Sequence, residues 1–193
     1  TRLARDAKPG RMTPNLALTL SFDGIRILHR SPAGWTPLAE VPFEPPGLAG
    51  RLAAAREAAL GLEPGGLRTK VMLPAEQVKV LEAEAPGEEA AREALRGATP
   101  YDLSELVIDH ASVEGRNLVA AVARETLEEA EAFVAGHGFH PVSFAADLPE
   151  SGFTGEAVFG ASRLAQAGPE REAVAGPPGE AVEEPGAVAG QGV

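Results

Sequence analysis

The chain has 193 residues, which suits one domain with a tail, and its hydrophobic fraction of 44% is typical of a globular protein. Its formal net charge of −11 argues against nucleic acid and anionic membrane surfaces as partners, because both select basic patches. The absence of cysteine excludes disulfides, a thiol nucleophile and cysteine metal sites, and it favours a cytoplasmic location. No apolar run reaches the length of a membrane span, so direct membrane insertion is not expected.

Residues 15–74 begin with a pattern typical of a three-stranded meander. Apolar residues alternate with small or polar residues over 16–22, as in a half-buried strand. Asp23-Gly24 predicts a two-residue hairpin turn, because Gly tolerates positive φ angles. Further strands are predicted over 25–28 and 35–43.

A helix and a fourth strand complete this first module. Four apolar residues recur at helical spacing in an Ala-rich segment: Leu48, Leu52, Ala55 and Ala59. The Gly and Pro residues of 61–66 end the helix. A short strand is predicted over 69–73, where Pro74 prevents its extension.

Residues 75–124 predict a second module with the order β-α-β-β. Its first strand is predicted over 77–85, with Val78 and Val80 on one face. A helix is predicted over 88–97, where acidic residues suit the positive end of the helix dipole. Two further strands, 106–108 and 118–122, complete the subdomain.

Residues 125–147 predict a returning helix and strand. The apolar stripe of that helix consists of Leu127, Ala130, Phe133 and Val134, and the strand is predicted over 141–145. Residues 148–164 are expected to be a weakly ordered segment, in which Phe153, Val158 and Phe159 pack as a short edge.

The two ends of the chain are expected to be disordered. Residues 1–14 are predicted to be a flexible N-terminus. Residues 165–193 are predicted to be a disordered acidic Ala/Gly/Pro/Glu-rich tail, because this composition buries too little apolar surface to offset the entropy of ordering.

This order of elements resembles the first half of the actin-like domains of bacterial assembly proteins, the type IV pilus family PilM and the type II secretion family GspL. The resemblance is carried by VMLPAEQVKVLEAEAP, ALRGATPYDLSELVIDH and NLVAAVARETLEEAEAFVAGHGFHPVSF. In that family a strand ending in Pro precedes a small inserted subdomain, and an Ala-Val-X-Arg-Glu step enters the next helix. The resemblance implies an α/β protein: half of an actin-like (ribonuclease H-like) fold with an inserted β-α-β-β subdomain, followed by the disordered tail.

The same resemblance argues against nucleotide hydrolysis. ATP-binding members carry Asp-X-Gly-Ser/Thr in the first hairpin, and aligning Ile25-Arg26 with the family's equivalent pair puts Thr19 at the Asp and Ser21 at the Gly. Thr cannot supply the carboxylate that organises the metal and the attacking water, and the Cβ of Ser crowds the phosphate. The second half of the fold is also expected to be missing. A nucleotide-binding protein completed by a second half supplied in trans is the alternative.

The acidic tail also makes the chain similar to alphaproteobacterial proteins named translation initiation factor 2. A factor of that class needs a GTPase P-loop, Gly-X4-Gly-Lys-Ser/Thr, and the sequence contains none. A translation- or ribosome-associated role is therefore a weaker alternative, which the negative charge opposes.

The best metal-ligand candidates are His137 and His140, which Asp109-His110 would have to join through folding. We favour a structural role, because a histidine at a helix C-terminus commonly interacts with exposed carbonyl groups. Asp23-Gly24 is also interpreted as a turn and not as a relic phosphate loop.

Nucleophilic and acid–base catalysis find no support in the sequence. The serines considered, Ser21, Ser104 and Ser143, lie in no Gly-X-Ser-X-Gly elbow. The carboxylates Glu125, Glu128, Glu129 and Glu131 are interpreted as the solvated face of a helix.

Two aromatic residues are candidates for an interface. Tyr101, the single tyrosine, lies beside Pro100 between a predicted helix and strand, and Trp35 follows a turn. In both places we favour packing, for Tyr101 together with Leu103 on the small sheet.

We therefore predict no catalytic, cofactor-binding or metal-binding residue and no cofactor. The expected function is that of a non-catalytic cytoplasmic protein-interaction scaffold, belonging to an envelope-associated assembly. Its partners are expected to be proteins, bound by strand addition to a sheet edge or by a helix in a groove. The sequence predicts neither the identity of the partner nor the oligomeric state.

Overall fold

The computed structural model describes residues 13–43, 47–153 and 155–167. The predicted flexible N-terminus (1–14) and disordered tail (165–193) lie mostly outside this part of the chain. Residues 165–167 of the predicted tail are described, and they form the end of a short helix, so the tail was predicted to begin too early. In chain order the described residues form nine strands and four α-helices. The strands are β1 (Leu16–Leu20), β2 (Gly24–Ser31), β3 (Gly34–Pro42), β4 (Thr69–Met72), β5 (Lys79–Ala83), β6 (Leu106–Val113), β7 (Arg116–Ala123), β8 (Pro141–Asp147) and β9 (Glu156–Ala161). The helices are α1 (Leu48–Leu62), α2 (Glu88–Leu95), α3 (Arg124–Gly136) and α4 (Arg163–Ala167).

The larger sheet has six strands in the order β3-β2-β1-β4-β8-β9. The first three strands form the predicted antiparallel meander, β4 and β8 run parallel to β1, and β9 returns antiparallel to β8. Leu18 and Val71 of this sheet belong to one hydrophobic core with Leu52 of α1 and Val134 of α3. The apolar stripes predicted for the two helices therefore pack on this sheet.

The smaller sheet has three strands in the order β5-β7-β6 and corresponds to the predicted β-α-β-β subdomain. Leu81 and Val119 form a second core with Leu95 of α2, while Leu118 and Val122 of β7 belong to the first core. The middle strand β7 is thus covered on both faces. This double burial explains why its sequence is a continuous apolar run instead of an alternating one.

The strand predicted over 77–85 is shorter in the structure. Residues Ala75–Gln77 form a 3-10 turn, in which the Gln77 N–H donates to the Pro74 carbonyl over 3.1 Å, and β5 begins only at Lys79. Val78 and Val80 nevertheless both pack against the larger core, as their spacing predicts. The apolar alternation begins before β5 because Val78, the residue after the turn, already faces the core.

The two-residue turn predicted at Asp23-Gly24 is shifted by one residue. The Ser21 N–H donates to the Gly24 carbonyl over 3.0 Å, so Phe22 and Asp23 form the loop. A Cβ on Gly24 would lie 2.5 Å from the Val41 carbonyl oxygen. Glycine is therefore required here because the backbone of β3 approaches closely.

Part of the segment 148–164, for which we expected weak order, forms β9 at one edge of the larger sheet. Phe153 and Phe159 are buried in the larger core, and Val158 is exposed. Within the described ranges, no helix is long and apolar enough to cross a membrane.

A buried amide fixes the start of β1 to the end of α1. The Oδ1 atom of Asn15 accepts the Arg68 N–H over 2.8 Å, and its Nδ2 donates to Glu63 over 3.0 Å and to the Gly66 carbonyl over 2.9 Å. The other carboxylate oxygen of Glu63 lies 2.8 Å from His29 Nε2. These hydrogen bonds, with that from His29 the largest contribution, hold the pKa of Glu63 below its ordinary value of 4.5 although burial opposes them.

Candidate binding groove

A groove with a volume of about 480 Å³ lies between the edge of the smaller sheet and the edge of the larger one. Its walls come from β6, β9, α3 and α4, with a contribution from α2. Its volume lies within the range of roughly 300–1,000 Å³ that is typical of ligand-binding sites. We call this feature the edge groove.

One wall of the edge groove is the edge of β6. Five consecutive residues of that strand line it, from Leu106 through His110. Successive side chains of a strand point to opposite faces, so a cavity that contacts all five must run along the strand's edge and reach its backbone. In the described part of the chain β6 pairs only with β7, and alternate backbone N–H and C=O groups of β6 therefore face the groove.

The floor of the edge groove is apolar. It is formed by Leu127 of α3, Phe144 of β8 and Phe159 of β9, all of which are nearly fully buried. Their small accessible parts provide an apolar surface. An apolar side chain that packs on it leaves water, which lowers the free energy of the complex.

The rim of the edge groove carries both signs of charge, and most of it is paired. Arg92 lies 2.9 Å from Glu88, and Arg163 lies 3.2 Å from Glu128. Among the described residues Arg124 forms no ion pair; its Nη2 donates a long hydrogen bond of 3.5 Å to the Ser104 carbonyl. Arg124 is thus the rim cation without a neutralising partner in this part of the chain.

The wall formed by α4 is held by a buried carboxylate. Glu131 is only 6% exposed, and it accepts the Leu164 N–H over 2.9 Å and the Arg163 N–H over 3.3 Å. Ser162 supports the same turn, because its hydroxyl accepts the Ala165 N–H over 3.0 Å. The assignment of Glu131 to the solvated face of its helix was therefore wrong: α4 covers that position and takes up its charge in hydrogen bonds.

One end of the edge groove is closed by Asp109. Its Oδ2 accepts the Val158 N–H of β9 over 2.9 Å, and its Oδ1 accepts the N–H of His110 over 2.9 Å. A carboxylate that occupies an edge N–H blocks further pairing at that position. Asp109 therefore links the edges of the two sheets.

The structure does not bring the metal-ligand candidates together. His137 ends α3 with its ring edge-on against Phe133, the ring centroids being 4.7 Å apart, whereas Asp109 and His110 line the edge groove. Over residues 13–43, 47–153 and 155–167, no three His, Asp or Glu side chains are grouped as a metal ion requires.

The other sequence candidates lie apart from the groove. The Ser21 hydroxyl donates to the Gly24 carbonyl over 2.9 Å and accepts the Gly24 N–H over 3.3 Å, so it serves the hairpin turn. Ser104 lies in a 3-10 turn and Ser143 in β8.

The two aromatic candidates are both partly exposed. Leu103 packs against the second core as predicted, but Tyr101 is 44% exposed and does not belong to that core. Trp35 is 37% exposed, with Lys70 Nζ at 5.3 Å and Arg30 Cζ at 5.8 Å from its ring centroid. These contacts are those of a surface cation–π cluster.

Sequence reasoning missed the edge groove because its walls come from distant parts of the chain. One signal was present in the Ala-Val-X-Arg-Glu step of residues 121–125. It places Arg124 at the first residue of α3, where the helix dipole disfavours a cation. An unfavourable residue at a helix start is a signal for a function, whereas Phe144 and Phe159 give no such local sign.

No protein family model matches the chain, and no curated protein matches it. Solved structures do. A PilM-PilN type IV pilus biogenesis complex is similar with a TM-score of 0.51 and 20% sequence identity, over 68% of this chain and 47% of that chain. The cytoplasmic domain of EpsL, an inner membrane component of the type II secretion system of Vibrio cholerae, gives a TM-score of 0.47 and 16% identity, over 67% of this chain and 55% of that chain. A Bacteroides thetaiotaomicron protein with an actin-like ATPase fold gives 0.38 and 14%, over 65% and 51%.

The chain spans about half the length of these structures. The likeness to the PilM-PilN complex covers 68% of this chain. The resemblance to PilM is confirmed at the level of the fold: the described residues have a partial actin-like fold with an inserted subdomain.

Proposed function

We propose that this chain is a non-catalytic protein-interaction domain that binds an extended segment of a partner protein in the edge groove. The observation that carries the proposal is the run of β6 residues, Leu106 through His110, along a groove with an apolar floor. Strand addition is a recurrent mode of peptide recognition, in which backbone hydrogen bonds supply affinity and side-chain pockets supply specificity. Because Asp109 closes the far end and accepts the His110 N–H, the open edge runs from Leu106 to Ile108. At about 3.3 Å per residue, it offers roughly 7–10 Å.

The similarity to a PilM-PilN complex supports a protein as the partner. That structure is described as a type IV pilus biogenesis complex, so a protein of similar fold acts there with a second protein. By analogy, we propose that this chain serves a cytoplasmic role in an envelope-associated assembly.

The hairpin between β1 and β2 supports the non-catalytic part of the proposal. Thr19 and Ser21 take the positions that the resemblance assigns to a catalytic Asp and a phosphate-loop Gly, and the Ser21 hydroxyl is bonded to Gly24. A hydroxyl at the position of Thr19 does not replace a carboxylate in organising a metal ion.

Selection from a random peptide library tests the proposed function. The probe is a displayed library of peptides of about ten residues, roughly 33 Å when extended. The sequence contains no cysteine, so a single one can be introduced at Gln166, an exposed residue of the groove wall, and labelled with a bulky maleimide. Glu57→Cys on the exposed side of α1 is the matched control.

We expect selected peptides to bind at least about tenfold more weakly after labelling at position 166 and unchanged after labelling at position 57. A library that yields no binder would contradict the proposal. Binders whose affinity is unchanged by the label at position 166 would also contradict it.

A further inference from the structure

The charges around the edge groove define the chemistry of its occupant, provided that the proposed function holds. The protein as a whole is acidic, with a formal net charge of −11, and three arginines and four carboxylates line the groove. Two of those carboxylates, Asp109 and Glu131, accept backbone N–H groups. Arg92 and Arg163 are neutralised by Glu88 and Glu128. Arg124 forms no ion pair within the described residues, so it leaves one positive charge for a ligand to neutralise.

The position of Arg124 relates this charge to the strand that would receive the partner. Leu106, the first residue of β6, pairs with Ala123, the residue before Arg124. Arg124 therefore lies at the Leu106 end of the groove, whereas Asp109 closes the edge farther along β6 by its bond to Val158. The apolar floor of Phe144 and Phe159 belongs to the same groove.

We infer that the partner segment carries a carboxylate that pairs with Arg124, next to an apolar side chain that packs on Phe144 and Phe159. A guanidinium group matches a carboxylate with two parallel hydrogen bonds. A neutral segment laid along β6 withdraws water from Arg124 without giving it a partner, and a basic segment adds repulsion. The charge of Arg124 thus disfavours a basic side chain at the position next to it.

The peptide selection described above tests this inference when it is combined with two arginine variants. Arg124→Gln removes the groove charge, and Arg96→Gln removes an exposed arginine of the same subdomain that does not line the groove. We expect the selected peptides to share an Asp or Glu at a fixed distance from an apolar residue. Binding should weaken about 10- to 100-fold with Arg124→Gln and stay unchanged with Arg96→Gln.

Resynthesised peptides distinguish the source of the carboxylate. Peptides with an amidated C-terminus should retain full affinity if a side chain supplies it, and should lose affinity if the chain terminus does. A charge swap adds an independent readout, because Arg124→Glu should bind the peptide whose acid has been replaced by Lys.

The outcomes separate this inference from the function on which it rests. One outcome would overturn the inference and leave the proposed function standing. In it, the label at position 166 blocks the binders, but the binders share no acidic residue and their affinity is unchanged by Arg124→Gln. A failure to obtain groove binders at all would overturn both.

Discussion

At the scale of single residues, two carboxylates hold segments of this fold that secondary structure alone would leave loose. Glu131 is buried and accepts the first N–H groups of α4, and Glu63 joins the end of α1 to β2 and to the segment before β1. Both act as acceptors of several hydrogen bonds, which is the state in which an ionised carboxylate is stable away from bulk water.

Replacing Glu131 by Gln should destabilise the fold. An amide offers one acceptor oxygen and turns two donor hydrogens toward the N–H groups of Arg163 and Leu164. We expect the free energy of unfolding to fall by about 1–3 kcal/mol, measured by urea denaturation, with faster hydrogen exchange in α4. Glu129→Gln on the exposed face of α3 should change it by less than about 0.5 kcal/mol. Equal effects of the two changes would contradict this role of Glu131.

The lowered pKa of Glu63 predicts a loss of stability in acid. Its folded-state pKa lies below the ordinary value of 4.5, so its contribution is fully present above that pH and is lost as the pH falls through the folded-state pKa. Urea denaturation below pH 4.5 should therefore show a shallower decline for Glu63→Gln than for the natural sequence. Glu76→Gln, an exposed control, should keep the original slope. An unchanged slope in Glu63→Gln would show that this carboxylate does not carry the pH dependence.

At the scale of elements, the connection between β6 and β7 shows how the inserted subdomain fixes its register. Val113 pairs with Arg116, so Glu114 and Gly115 form a two-residue loop with φ angles of 50° and 82°. This is the turn that matches the twist of a hairpin, and it requires positive φ at both central residues. Gly meets that requirement without strain, whereas Glu does not.

Replacing Glu114 by Asn should therefore stabilise the protein. Asn adopts the left-handed conformation more readily than Glu, and we expect a gain of about 0.5–1 kcal/mol in the free energy of unfolding. Gly115→Ala is the opposite test, because its φ of 82° strains any Cβ, and it should destabilise the hairpin. Urea denaturation of both variants measures the effect. A loss of stability in Glu114→Asn would mean that Glu114 has a compensating contact.

Elements with a clear period were predictable from the sequence, and positions decided by tertiary contact were not. The alternation in β1 and the stripe of α3 indicate their buried faces directly, because each faces one core. The location of the first hairpin loop was missed because the Ser21 side chain and the approach of β3 to Gly24 shift it. The connection between β6 and β7 was predicted within residues 114–117, but its two-residue form at Glu114-Gly115 was not, because Glu is unusual in that conformation.

The candidate site was the least predictable part. Phe144, Phe159 and Leu106 are far apart in sequence and become neighbours only when two separate sheets fold. The burial of Glu131 likewise depends on α4, which follows it by some thirty residues. Only Arg124 is recognisable from the local sequence, because a cation at the first residue of a helix is unfavourable.

At the scale of the whole molecule, the two sheets meet at their edges and leave a groove where strand pairing stops. Asp109 joins β6 to β9 at one point. Between Leu106 and Asp109, the edge of β6 stays open within the described residues. A sheet edge is a template for another strand unless something covers it. We therefore propose that a partner segment completes this edge, and that this partial actin-like domain carries out no nucleotide chemistry.

Hydrogen exchange of the backbone amides, measured with a selected peptide and separately with magnesium-ATP, tests this claim most directly. We predict slower exchange in β6 around Leu106–Ile108 with the peptide, and no change in any segment with the nucleotide. Protection of the hairpin that contains Thr19 and Ser21 by magnesium-ATP, with the exchange of β6 unaffected by the peptide, would contradict the account.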